Sequence, residues 1–183
     1  MTTKEMVYAA LFAALISVFA LIPPIPLGFI PVPITVQTLG VMIAGGFLGK
    51  KIGGIALLLF LVLVAIGLPV LPGGRAGLSV LVGPTGGYLL SWPIAAFCIG
   101  YATEKVWSHL KVWKMILINI VFGVLLINLI GAPFMAWVTN TSVWAGLVGG
   151  VAFLPGDCIK AVIAAIIVWQ LKAISPIEVK ANQ

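Results

Sequence analysis

Residues 115–138 read MILINIVFGVLLINLIGAPFMAWV, 24 positions without an Asp, Glu, Lys or Arg. A helix crossing a bilayer needs about 20 apolar residues, with about 17–25 tolerated, so this stretch is long enough to cross with some tilt. Five further apolar segments flank it, at residues 6–22, 34–49, 52–68, 86–103 and 155–171, separated by Gly/Pro clusters or charges. No water in the hydrocarbon satisfies an open backbone, so spanning segments are helices or closed barrels. These runs are continuously apolar rather than alternating, which excludes the barrel. The expected fold is therefore all-α, with six transmembrane helices in a single membrane domain over residues 1–183.

Composition agrees. Of 183 residues 62% are hydrophobic and 8% are charged, with a mean hydropathy of +1.26. An ordinary soluble domain carries about 25% charged residues. This excludes a coiled coil, a disordered tail, a disulfide-rich secreted domain and most soluble enzymes. The net charge of +6 forms no stripe, so nucleic acid is not an expected partner. Read as topology, with the N-terminus cytoplasmic, the inner side collects Lys4, Lys50, Lys51, Lys105, Lys111, Lys114, Lys172 and Lys180. The outer side collects only Arg75, and Lys160 falls inside the sixth segment. That bias predicts both termini in the cytoplasm and a multi-pass protein of the cell membrane. Trp107, Trp113, Trp137, Trp144 and Trp169 fall near span ends, as an interfacial aromatic belt requires. Residues 6–22 lack a small-x-small cleavage site and read as a retained first helix.

Chemistry-bearing residues are few. Cys98 and Cys158 lie in apolar stretches and His109 is the single histidine, so no metal site is expected. Residues 45–51 (GGFLGKK) resemble a phosphate-binding loop, but lack its terminal Ser/Thr and close a membrane segment. No nucleophile–base pair is visible, and neither catalysis nor a cofactor is expected. The informative stretch is residues 153–160, FLPGDCIK. Asp157 suits a helix N-cap, and Lys160, three residues on, shares its face. Two readings stay open: the pair merely caps the helix, or it lines a polar pocket entered from outside. A charge inside a span costs about 2.5–3.5 kcal/mol even on the mildest scale, which favours function.

Other polar groups gather at outer helix starts. Thr35, Gln37 and Thr38 open the second segment; Thr85 and Tyr88 open the fourth through GPTGGY. Either set serves as ordinary caps or as convergent ligand groups. Arg75 either clamps an anion or sits among headgroups. Loops 21–33, 68–85 and 139–154, rich in Pro and Gly or small apolar residues, suit lids or pocket walls better than solvated linkers. In the first helix Ala9, Ala13 and Ser17 share one face, with Ala10 and Ala14 beside it. Such small-residue faces serve packing within a protein or docking onto another membrane subunit.

Four stretches together, VPITVQTLGVMIAGGFLG at 32–49, GLPVLPGG at 67–74, GPTGGYLLSWPIAAFCIG at 83–100 and FLPGDCIKAVIAA at 153–165, resemble the BioY family. Members are the biotin-specific S-components of energy-coupling factor transporters. The resemblance implies a six-helix S-component that captures biotin at the outer face. It implies as partners a transmembrane coupling protein and two ABC-type ATPases, which alone would use ATP. The family's Asp and Lys map onto Asp157 and Lys160. The expected substrate-binding set is Asp157, Lys160, Gln37, Thr35, Tyr88, Thr85, Gly74, Arg75, Ser79 and Trp92. Docking of the coupling protein is expected on Ala9/Ala13 or Ala10/Ala14. The competing reading is a stand-alone secondary carrier for a small vitamin-like molecule, against which stand the lack of repeats and the scarcity of intramembrane ionisable groups.

Overall fold

A computed structural model describes residues 1–29 and 31–177; Lys180 of the basic set lies outside the described residues. Within them the chain is helical, with two isolated bridges, Ile25–Ile34 and Leu71–Arg75. The principal helices are α1 (Thr3–Val18), α2 (Gln37–Ala65), α3 (Leu78–Val82), α4 (Gly86–Lys105), α5 (Val112–Ile118), α6 (Leu126–Val138), α7 (Val143–Gly150) and α8 (Leu154–Gln170). Asn119–Leu125 is a wide π-helical stretch that joins α5 to α6. A capping box starts α1: Glu5 N donates to the Thr2 hydroxyl and Thr2 N donates to the Glu5 carboxylate.

The two segments expected at 34–49 and 52–68 form the single run α2, but it is not straight. Gly49 has φ +79°, a left-handed value that breaks the helix. A Cβ on Gly53 would lie 2.9 Å from the Ala44 carbonyl oxygen. Nine residues of straight helix would separate those positions by about 13 Å. The chain therefore reverses at Gly49, and α2 is a hairpin of two arms.

Four helical stretches are long and apolar enough to cross a bilayer: Thr3–Leu21, Gln37–Ala65, Val112–Val138 and Val143–Gln170. That is fewer than the six spans expected, because the hairpin counts as one stretch and α4 does not stand among them. The loop expected at 139–154 is largely α7, which a single tight turn joins to α8. The protein is a multi-pass, all-helical membrane protein.

Small residues set the packing. Tight α2–α4 contact needs glycine at Gly45, which faces the Ala96 carbonyl and Ile99, and at Gly100, which faces the backbone of Gly49 and Lys50. Against the first arm of α2, α1 runs antiparallel: Ile16 meets Gly40 and Phe12 stacks on Phe47 at 5.7 Å. Basic groups collect at the reversal end. Lys50 Nζ lies 3.1 Å from the Glu104 carboxylate, Lys50 and Lys105 flank the Tyr101 ring, and Lys172 lies over Trp107. Trp113, Trp137, Trp144 and Trp169 are exposed, whereas Trp107 is buried and does not belong to a lipid-facing belt. Both cysteines are free.

Candidate functional site

At the end of the bundle away from Lys50 a cavity of about 590 Å³, open mouth included, lies between the first arm of α2, α4, α6 and α8. The loops 21–33, 68–85 and 139–154 supply part of its wall. Val32 and Pro33 come from the first, Leu71, Pro72 and Arg75 from the second, Phe153 from the third. Paired hydrogen bonds of 2.9 Å between Ile25 and Ile34 clip the first loop, holding Val32 and Pro33 over the opening of α2.

Lys160 and Asp157 meet on this cavity, with side chains 12% and 10% exposed and Nζ 2.8 Å from Oδ1. The Lys160 ammonium also donates to the Thr35 carbonyl at 2.6 Å and to the Thr38 hydroxyl at 3.0 Å, which in turn donates to Asp157 Oδ1 at 3.3 Å. Three donors thus meet three acceptors, on α8, on α2 and in the loop before α2. A buried pair is tolerable only when its hydrogen-bonding capacity is met in this way.

Two expectations change here. Asp157 is not an N-cap: α8 begins at Leu154 with Phe153 as its cap, so the carboxylate lies inside the first turn and is free to take Lys160 and Thr38. Thr35 does not share a helix face with Thr38, because α2 begins only at Gln37; it is the Thr35 carbonyl, open where no helix has started, that accepts from Lys160.

Gln37 borders the cavity, but its amide nitrogen is already engaged by the carbonyls of Ile16 and Val70, tying α1 and the second loop together. Arg75 is half-buried, and burial lowers its guanidinium pKa from the ordinary value. Its Nε donates to the Pro72 carbonyl at 3.4 Å. Thr85, Tyr88 and Trp92 line the cavity and are buried. The Tyr88 ring lies edge-on to Phe153 at 5.8 Å and Trp92 stacks on Phe60 at 5.6 Å, so both aromatics are fixed in orientation. A Cβ at residue 131 would strike the Tyr88 ring, so glycine there seats it. Gly74, in the turn after Pro72, and Ser79, in α3, are exposed and are not among the residues that line the cavity. Asn128 was not among the expected residues, yet it lines the cavity from α6. Its signal in the sequence is a polar amide in a span whose one other amide is Asn119.

On α1, Ala9 and Ala13 are 2% and 1% exposed and pack inside the protein. Ala10 and Ala14 face outward. Of the two expected docking faces, Ala9/Ala13 is already covered by the protein's own helices.

The family model "BioY family" matches residues 1–176. The chain is 46% identical over 172 residues to the biotin transporter BioY of Rhizobium etli, covering 91% of this chain and 92% of that one. It is 39% identical over 171 residues to the biotin transporter BioY of Lactococcus lactis subsp. cremoris, covering 92% and 90%. Among solved structures, the S-component for biotin from an ECF-type ABC transporter superposes with a TM-score of 0.90 at 38% identity, covering 94% of this chain and 95% of that one. With motif, fold and pocket in agreement, the chain belongs to the BioY family.

Proposed function

We propose that this chain captures biotin with high affinity from the outer side of the membrane and passes it to partner subunits for ATP-driven import. The observation that carries this reading is the buried Asp157–Lys160 pair, tied to Thr35 and Thr38 on the wall of a cavity that opens between the helices. Biotin supplies a ureido group that donates and accepts, an apolar bicycle and tail, and a carboxylate. The cavity supplies a carboxylate and an ammonium on one wall, apolar and aromatic surface between, and the Arg75 guanidinium near its mouth. The binding set is Asp157, Lys160, Thr35, Thr38, Thr85, Tyr88, Trp92 and Arg75, with Gln37 holding the wall.

Six spans with both termini cytoplasmic fit this reading. The reversal at Gly49 makes two spans of α2, α4 adds one, and the cluster of Lys50, Lys105 and Lys172 marks the inner end. Docking of a transmembrane coupling protein, itself served by two ATPases, falls to Ala10 and Ala14, whose outward face admits close helix approach. Proteoliposomes test the assignment. Biotin accumulates only when the chain is co-reconstituted with its partner subunits and ATP; accumulation by the pure chain without ATP overturns the subunit reading in favour of a stand-alone carrier.

A further inference from the structure

Five side chains of α4 are exposed: Leu90, Ile94, Phe97, Tyr101 and Lys105. Their three- and four-residue spacing puts them in one stripe along the helix. From Leu90 to Tyr101 the helix rises about 16 Å, half of a hydrocarbon core of about 30 Å. The apolar stripe is therefore as long as one leaflet is deep, and it ends in a phenol and an ammonium. Phe97 and Tyr101 lie nearly parallel, with 6.5 Å between ring centroids and 5° between planes, so the stripe has a flat aromatic floor. The second arm of α2 runs beside it with Gly54 against Phe97, where a Cβ would lie 3.6 Å from the Phe97 Cβ.

Cations from two elements converge on the end of that floor. Lys105 Nζ lies 4.5 Å and Lys50 Nζ 5.5 Å from the centroid of the Tyr101 ring. Lys51, the next residue in the chain, is exposed. Glu104 is engaged with Lys50 alone: one carboxylate oxygen lies 3.1 Å from Nζ and the other accepts from the Lys50 backbone N–H at 2.9 Å. Among the described residues no carboxylate pairs with Lys105. We propose that this end of α4 binds one anionic phospholipid, its phosphate between Lys50 and Lys105 beside the Tyr101 ring and an acyl chain along Phe97, Ile94 and Leu90. The charges are complementary, and the apolar stripe continues from them at the depth an acyl chain occupies. A helix of another membrane subunit fits less well, because close helix contacts in lipid use small residues and this stripe has none. A zwitterionic lipid brings its own ammonium, which competes with the lysines for its phosphate. The site lies at the end of the bundle away from the cavity and does not depend on what the cavity holds.

The test is native mass spectrometry of the purified full-length chain in detergent, titrated with dioleoyl phosphatidylglycerol or dioleoyl phosphatidylcholine. One phosphatidylglycerol is expected to bind saturably, at least about fivefold more tightly than phosphatidylcholine. Lys105→Gln and Lys50→Gln are each expected to weaken it by at least about fivefold, with the thermal melt confirming a folded chain. Tyr101→Leu replaces Lys50→Gln if loss of the Glu104 contact unfolds that variant, with the same expected direction. Lys111→Gln removes an exposed lysine elsewhere at the same end and is expected to change nothing. Equal losses in Lys111→Gln and Lys105→Gln overturn the proposal, since they mark a diffuse basic field. Displacement of the lipid by glycerol 3-phosphate at equal concentration also overturns it, because a small-anion site makes no use of the acyl stripe. Equal binding of the two lipids overturns it as well; loss of co-purification of Lys105→Gln with the coupling protein would then make the cation pair a protein contact.

Discussion

Replacing Lys160 by Met keeps the aliphatic stem and deletes the cation. The ammonium donates to three oxygens, Asp157 Oδ1 at 2.8 Å, the Thr35 carbonyl at 2.6 Å and Thr38 Oγ1 at 3.0 Å. Both charged side chains are about nine-tenths buried, so solvent screens the pair little. Deleting one partner of such a pair leaves an uncompensated buried charge, at about 3–5 kcal/mol. The Thr38 hydroxyl at 3.3 Å remains as a donor to Asp157, which puts the expected loss at the lower end, about 3 kcal/mol. At about 2–4 °C per kcal/mol for a chain of this size, the melting temperature without ligand falls by about 6–12 °C. Adding Asp157→Asn removes the orphaned charge and restores more than half of that loss, since contacting residues couple by about 0.5–3 kcal/mol. Biotin affinity does not return in the double variant; it stays at least tenfold weaker, about 1.4 kcal/mol. Thermal melts and biotin titrations of the wild type, both singles and the double complete the cycle. A Lys160→Met chain that melts with the wild type, or a double variant no more stable than the single, would refute the account of the pair.

Leu at Ala10 or Ala14 is expected to abolish co-purification with the coupling protein while leaving biotin binding intact. Leu at Ala13, which is 1% exposed, instead destabilises the chain by about 1–3 kcal/mol through overpacking, read as a lower melting temperature. Gly49→Ala places a Cβ at φ +79° and against the Glu104 carboxylate; its melting temperature falls by the equivalent of at least about 1–2 kcal/mol. Gly131→Ala drives the Tyr88 ring from its seat, and a titration is expected to give at least tenfold weaker biotin binding with little loss of expression.

Much of this was written in the sequence because lipid leaves few choices. Apolar runs and Pro/Gly interruptions mark the helices, and the lysines gather at one end of the bundle. The pair Asp157–Lys160 stood out because charge inside a span is costly. What periodicity did not carry was tertiary closure. The break at Lys50-Lys51 divides the pattern into two arms, but the tightness of the reversal depends on one backbone angle, at Gly49, which hydropathy does not report. Two of the three partners of Lys160 lie more than 120 positions away in the chain, and one of these is the backbone carbonyl of Thr35, which no side-chain motif reports. Small-residue spacing on α1 offered two faces, and only packing against α2 distinguishes the covered Ala9/Ala13 from the open Ala10/Ala14. Gly74 and Ser79 shared a motif with the site but not its wall. Asn128 lies within the longest apolar run, where hydropathy averaged over a window conceals both of its amides, Asn119 and Asn128.

If the cavity bounded by Asp157 and Lys160 is a biotin site, calorimetric titration of the purified wild-type chain in detergent gives a saturable isotherm of one biotin per chain. Its Kd lies below about 1 μM, a binding free energy more favourable than about −8 kcal/mol. No saturable heat up to millimolar biotin, from protein that remains folded, would contradict it.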